Sequence, residues 1–256
     1  MKKPISLLLA FCVSTTMAMA ASFTLEVDFQ DGTFGGGTAT GLGTGRRIIV
    51  VDENTAPPDP FGVEGNRSLL IEQNSSSNPA ATVQWNLPDK LTLGSVKFSA
   101  YSLNDDDQFN KPRGNIYLYQ GSTIGVNLTW NEAGALKLSG RLSPTGAYES
   151  LTLGADWSLD QAHEVEIVLL GNESISIYLD GVLLSLKDSE QSVFYWKEGI
   201  THFDNIRVAN PGSSNVGSQV FFDDLKIASI PEPGSLSMML TTCALGWIIF
   251  ARFRRK

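Results

Sequence analysis

The chain of 256 residues has only two cysteines, Cys12 and Cys243, and both fall in apolar stretches near its ends. The middle, Ala21 to Ile230, has none. That excludes a disulfide framework and a cysteine nucleophile there, and leaves the core, or a bound metal, to hold the fold. Two histidines, His163 and His202, are too few for a histidine-based zinc site. Basic residues are scarce as well. Of the 19 Lys and Arg, six (Lys2, Lys3, Arg252, Arg254, Arg255, Lys256) sit at the ends, and only Glu232 of the 27 acidic residues does, so the middle carries 13 − 26 = −13. A field of that sign argues against nucleic acid or anionic polymers as partners. No stretch of the middle has a helical apolar stripe, so the glycine-rich run GTFGGGTATGLGTG has no helix behind it. The dinucleotide and phosphate-loop readings fail, and a flexible loop is expected there.

What is present is alternation of period two. ATVQWNL, GSVKFSAYSL, GNIYLYQ, IGVNLTW, ALKLSG, HEVEIVLL, SISIYLDG, VLLSL, ITHFDNIRV and QVFFDDLKIA alternate or are rich in β-formers. Turn signals separate them at Asn131 to Gly134, Gly171-Asn172 and Asp180-Gly181. Asp-Gly is the strongest, because it suits the type I′ turn of a two-residue hairpin. Many short strands at close spacing predict an all-β sandwich or barrel, and the middle is long enough for one domain with a sizeable core.

The ends read differently. Lys2 and Lys3 precede the apolar run ISLLLAFCV, and AMA at Ala18 to Ala20 offers small residues for cleavage. This predicts a secretory signal peptide over 1–20, cut between Ala20 and Ala21, with the secretion translocon and signal peptidase as partners. At the other end, 19 uncharged positions separate Glu232 from Arg252. A helix over about 235–251 at roughly 1.5 Å per residue approaches the roughly 30 Å hydrocarbon layer of a bilayer. The basic cluster 252–256 would keep the C-terminus cytoplasmic and the middle outside.

Pro231-Glu232-Pro233, a single apolar span and the terminal Arg252, Arg254 and Arg255 together resemble the PEP-CTERM sorting signal of Gram-negative bacteria. The resemblance covers 231–256. It implies export, transient tethering in the inner membrane, and recognition near Pro-Glu-Pro by an exosortase, a membrane protease or transpeptidase. Delivery to the cell surface or extracellular polysaccharide matrix would follow. A permanent anchor is the alternative that physics alone allows. The N-x-[ST] triplets at Asn66, Asn74, Asn127 and Asn172 are read as coincidental in such a bacterium.

A second resemblance covers the middle as pattern. HEVEIVLLGNESISIYLDGVLLSL is similar to the hairpin of concanavalin A-like and laminin-G-like jelly rolls. VFFDDLKIA is similar to their last strand, and TLEVDFQDGT to the first strand beside it. A two-sheet antiparallel jelly-roll sandwich over 21–230 is implied.

Chemistry is sparse. Glu26, Asp28 and Asp31 form E-x-D-x-x-D, a near match to the E-x-D-x-x-E of laminarinase-type glycoside hydrolases on that fold. Such hydrolysis needs two carboxylates about 5 Å apart if retaining. The third position is a shorter aspartate, and a solvated edge strand is the expectation. If first and last strands adjoin, Asp28 or Asp31 could approach Asp223 or Asp224 and share a structural calcium, which takes six to eight oxygen ligands. The acidic loop Asn104 to Asn110 fails the EF-hand pattern. Among aromatics, Trp85 and Trp130 read as core, while Tyr195 and Trp196 in SVFYWKEG are the one pair that could stack on sugar rings, the other reading being structural filling. The expectation is a non-enzymatic exported protein with a glycan-binding or adhesion role. The alternatives are a secreted glycan hydrolase or lyase and a purely structural matrix protein.

Overall fold

A computed structural model describes residues 22–42, 46–73, 80–103, 112–131, 133–211 and 218–230. The expected signal peptide with its Ala20–Ala21 junction, the acidic loop Asn104 to Asn110 and the whole tail from Pro231 lie outside the described residues. Among the described residues there is no helix, and so none long and apolar enough to cross a membrane.

The strands are β1 (Ser22–Val27), β2 (Thr38–Thr40), β3 (Arg46–Val51), β4 (Ser68–Gln73), β5 (Ala81–Leu91), β6 (Leu93–Ser102), β7 (Pro112–Gln120) and β8 (Thr123–Asn131). There follow β9 (Ala135–Gly140), β10 (Glu149–Asp156), β11 (Ala162–Gly171), β12 (Ser174–Leu179), β13 (Val182–Leu183), β14 (Phe194–Tyr195), β15 (Phe203–Asn210) and β16 (Ser218–Ser229). They form two antiparallel sheets. A nine-stranded sheet runs β13-β12-β11-β6-β16-β4-β3, with β1 beside β16 and β14 beside β12; a seven-stranded sheet runs β10-β9-β8-β7-β15-β5-β2. The fold is the expected two-sheet jelly-roll sandwich.

Alternation explains the packing. In β6, Val96, Phe98 and Ala100 point into the core between residues that do not; in β11, Val165, Ile167 and Leu169 do the same. The seven-stranded sheet answers with Ile116, Leu118, Val126, Leu128, Leu136 and Leu138. Trp130 of β8 ties the two layers. Its ring stacks on Trp157 at 4.4 Å and meets Phe222 of β16 edge-on, while its Nε1 donates to Ser102 Oγ of β6 at 2.8 Å. Gly114 is required opposite it, since a Cβ there would stand 2.1 Å from the indole.

The Asp180-Gly181 hairpin forms as expected: Leu179 pairs with Val182, and both turn residues have positive φ, 52° and 78°. The neighbouring turn lies one residue later than expected, at Asn172-Glu173, with Gly171 paired to Ser174. The glycine-rich run is not wholly loop. Its Thr38–Thr40 pairs with β5 as β2. The alternation did not single out β3, β4 or β10. Strand β4 is covered on both faces, because Leu69 and Ile71 enter the main core while Leu70 joins Val51 and Phe221 in a second cluster on the outside of the nine-stranded sheet. Phe61, from the segment between β3 and β4, packs on that cluster.

Candidate functional site

The first and last strands do adjoin: Glu26 stands opposite Lys226 and Val27 opposite Leu225. The four aspartates that could have shared a metal serve separate local structures. Asp28 Oδ1 accepts from Gln30 N at 3.1 Å. Asp31 Oδ1 accepts from Thr33 Oγ1 at 2.7 Å and Thr33 N at 2.8 Å, which hold its carboxyl below the ordinary range. Asp223, 4% exposed, accepts from Asn66 Nδ2 at 2.7 Å and from Asp224 N at 2.8 Å. Burial nevertheless pushes its carboxyl up to about 6. Asp224, in a bulge with φ 51°, is exposed and lies 4.0 Å from Lys226 Nζ. Among the described residues no three His, Cys, Asp or Glu side chains group to hold a metal. Glu26, the first of the three carboxylates of the near-match motif, is ion-paired to Lys226 at 3.3 Å.

Of the candidate stacking pair, Trp196 proves to be structural filling. Trp196 is 2% exposed, its indole edge-on to Phe203 at 5.2 Å and its Nε1 donating to Ile200 O at 2.8 Å. It has no free face for a sugar. Tyr195 is half-buried in β14, its backbone bonded in both directions to Arg141. Trp85 and Trp130 are core, as read from the sequence.

The polar surface that the fold assembles lies elsewhere, on the outer face of the seven-stranded sheet. Register carries one row across all seven strands: Thr38, Gln84, Arg207, Tyr117, Asn127, Ser139, Ser150. The parallel row two residues away is Thr40, Thr82, Ala209, Asn115, Thr129, Lys137, Thr152. Between them runs Ala39, Val83, Val208, Ile116, Leu128, Leu138 and Leu151, pointing to the core, so period two puts both polar rows outside. Neither row holds an aspartate or glutamate. Asp204, next along β15, is turned to the β7–β8 turn, where Gly121 N donates to both its oxygens at 2.9 Å.

Arg207 is the centre of this face. Its guanidinium lies 4.3 Å from the centroid of the Tyr119 ring, a cation–π geometry. Nε and Nη2 both donate to Gln84 Oε1, at 3.1 and 2.5 Å, and Nη1 reaches Tyr119 Oη at 3.4 Å. Gln84 is itself held by donation from Nε2 to Asn86 Oδ1 at 2.9 Å. Tyr117 packs 5.8 Å from Tyr119 and accepts from Asn115 Nδ2. Burial raises the phenol pKa of both tyrosines, so both keep their protons at neutral pH. Asn115 Oδ1 is buried with no hydrogen-bond partner among the described residues. The face thus presents aromatic edges, amide and hydroxyl donors and acceptors, and a fixed cation. The sequence held a signal for it in the polar positions of GNIYLYQ, IGVNLTW and NIRV, but not their adjacency.

No family model matches the chain, and no curated protein does. Its likenesses are to solved structures. The cellulose induced protein Cip1 is 14% identical, with 79% of this chain and 96% of that one covered and a TM-score of 0.52. A mutant of HCR/D is also 14% identical, at TM-score 0.51 over 80% of this chain; the chain spans about half of HCR/D's length, 47%. A galectin of Caenorhabditis elegans, LEC-6, is 15% identical over 60% of this chain at TM-score 0.40, too distant to carry an argument. At such identities Cip1 and HCR/D show a common fold.

Proposed function

We propose that the protein is a non-enzymatic, exported glycan-binding protein that holds a sugar chain on the outer face of the seven-stranded sheet. One observation carries the reading: Gln84, Arg207, Tyr117 and Asn127 stand side by side in one cross-strand row, flanked by Tyr119 and Asn115, with no carboxylate among them. Sugars are rings with apolar faces and hydroxyls that both donate and accept. A binding surface for them needs aromatic area and amide groups of both kinds. The absence of an acid pair from these rows argues for binding rather than glycoside hydrolysis. Export, release by an exosortase at Pro231-Glu232-Pro233 and residence in the extracellular polysaccharide matrix complete the proposal, on the strength of the tail's three-part pattern.

The test is a glycan array probed with the detergent-solubilised full chain and with Tyr117→Ala. Binding weakened at least tenfold by the substitution, at a temperature where circular dichroism shows the variant still folded, is the expected result. Silence across the array would leave a structural matrix protein. For the tail, replacing Pro231, Glu232 and Pro233 with alanine should leave an uncleaved membrane form; a wild-type surface protein that still ends at Lys256 would mean an anchor instead.

A further inference from the structure

Resting on that glycan-binding reading, we infer that the glycan is anionic and that one of its carboxylate or sulfate groups seats on Arg207. Two other arginines have their charge answered by a carboxylate of the chain: Arg47 pairs with Glu72 at 2.8 Å and Arg141 with Glu173 at 2.6 Å. Arg207 is treated differently. The guanidinium edge formed by Nε and Nη2, which commonly grips a carboxylate in a bidentate pair, is held by one neutral amide oxygen, Gln84 Oε1. Among the described residues no carboxylate pairs with it.

Three of the five guanidinium N–H groups are engaged, counting the long contact to Tyr119 Oη. One N–H remains on each terminal nitrogen. The stack on Tyr119 and the grip of Gln84 fix the group's orientation before any ligand arrives. Its charge is thus held in place but not neutralised.

Lys137 adds a second cation in the adjacent row, opposite Thr129 and Thr152. It lies three strands across and two residues along from Arg207, roughly 16 Å at about 4.8 Å per strand and about 3.4 Å per residue. Repeating anionic groups along one polymer could meet both. The acidity of the middle of the chain does not forbid this. The outward carboxylates of the opposite sheet lie beyond a core about 10 Å thick, so through solvent they reach the polar face only around the edges, over paths longer than the Debye length of about 8 Å at physiological salt. A net −13 describes the whole middle segment, whereas the ligand meets the local rows.

The test compares polymers that differ mainly in charge. The detergent-solubilised full chain is titrated with polygalacturonate, its fully methyl-esterified form, alginate, dextran sulfate, neutral dextran and a single-stranded DNA oligomer. An anionic polysaccharide is expected to bind at least tenfold more tightly than its uncharged counterpart. Arg207→Gln should erase that difference, and Gln84→Glu, which gives Arg207 an internal carboxylate, should do so as well while keeping the wild-type melting temperature. Equal binding of charged and uncharged forms would overturn the inference while leaving the glycan reading intact. So would DNA binding as tight as that of the polysaccharide, or polyanion binding indifferent to Arg207→Gln. Binding of no polysaccharide here or on the array would instead overturn the glycan reading itself.

Discussion

Across the outside of the nine-stranded sheet, Glu26, Lys226, Lys97 and Glu166 stand in one cross-strand row, and across the outside of the seven-stranded sheet the comparable row is Gln84, Arg207, Tyr117 and Asn127. Both rows are the outward half of a period-two pattern over the same core. The first neutralises itself: Lys226 reaches Glu26 at 3.3 Å, and Lys97 reaches Glu164 on the diagonal at 2.7 Å. In the second, the one cation is met by an amide and a phenol. Charged side chains of both signs, paired across strands, keep a sheet surface soluble and answer one another at little net gain. A row of amides and tyrosines around an uncompensated arginine leaves hydrogen-bonding capacity directed outward. The excess of acids over bases therefore says little about any one face, and an argument from −13 against anionic partners does not reach the seven-stranded sheet.

The two faces are surfaces of one core, and Trp130 is the residue that joins them. Because Trp130 belongs to one sheet and touches Ser102 and Phe222 of the other, Trp130→Ala should cost about 3–5 kcal/mol. Urea unfolding followed by fluorescence and by circular dichroism should still show one coincident transition. Two separated transitions would mean that the sheets are independent units.

The next effect belongs to the acid-rich side. Asp223 has a folded pKa raised to about 6 from an ordinary 3.8, chiefly by burial. The folded state thus holds this proton more tightly than the unfolded one. Its contribution is full below pH 3.8 and is lost as pH rises through about 6, amounting to at most about 3 kcal/mol. Asp31 and Asp52 have lowered values and act in the opposite sense, their contributions disappearing as pH falls. The measurement is therefore a difference. Stability of wild type minus that of Asp223→Asn should decline between pH 4 and 6, and a flat difference would show that Asp223 is solvated in solution.

The smallest effect separates ionic decoration from function. Lys97→Ala removes a half-exposed pair with Glu164 and should change stability by no more than about 0.5 kcal/mol, less at high salt. Glycan affinity should not move. A tenfold loss of binding would transfer the functional face to the nine-stranded sheet.

Several features could be read from the residues alone because their causes are local. Asp180-Gly181 dictates its own hairpin, since both positions must adopt positive φ. Val96, Phe98 and Ala100, or Ile116 and Leu118, declare an inward face through alternation by itself. The adjacency of β1 and β16 was anticipated from likeness to jelly rolls and found. Other features escaped for equally specific reasons. Leu70 in β4 breaks the alternation because a loop bearing Phe61 covers the outside of that strand. Trp196 looked available because its sequence neighbours are polar, yet Phe203 and the Ile200 carbonyl enclose it. Asp28 and Asp31 follow β1, and Asp223 and Asp224 lie in its partner β16, yet Asp28, Asp31 and Asp223 accept from Gln30, Thr33 and Asn66, and exposed Asp224 stands 4.0 Å from Lys226.

The sequence by itself determined which residues of each strand point outward, because successive Cβ atoms leave a strand on opposite sides wherever that strand lies. It determined the turn chemistry and the scarcity of cysteine that leaves the core to hold the middle. Only the tertiary structure decided that β15 lies between β5 and β7, placing Arg207 beside Gln84 and Tyr117, residues 123 and 90 positions away in the chain. The physical reason is that a backbone ladder accepts any strand of fitting pattern. Which strands pair is fixed by burying all the inward rows at once, a condition on the whole chain that no single segment carries.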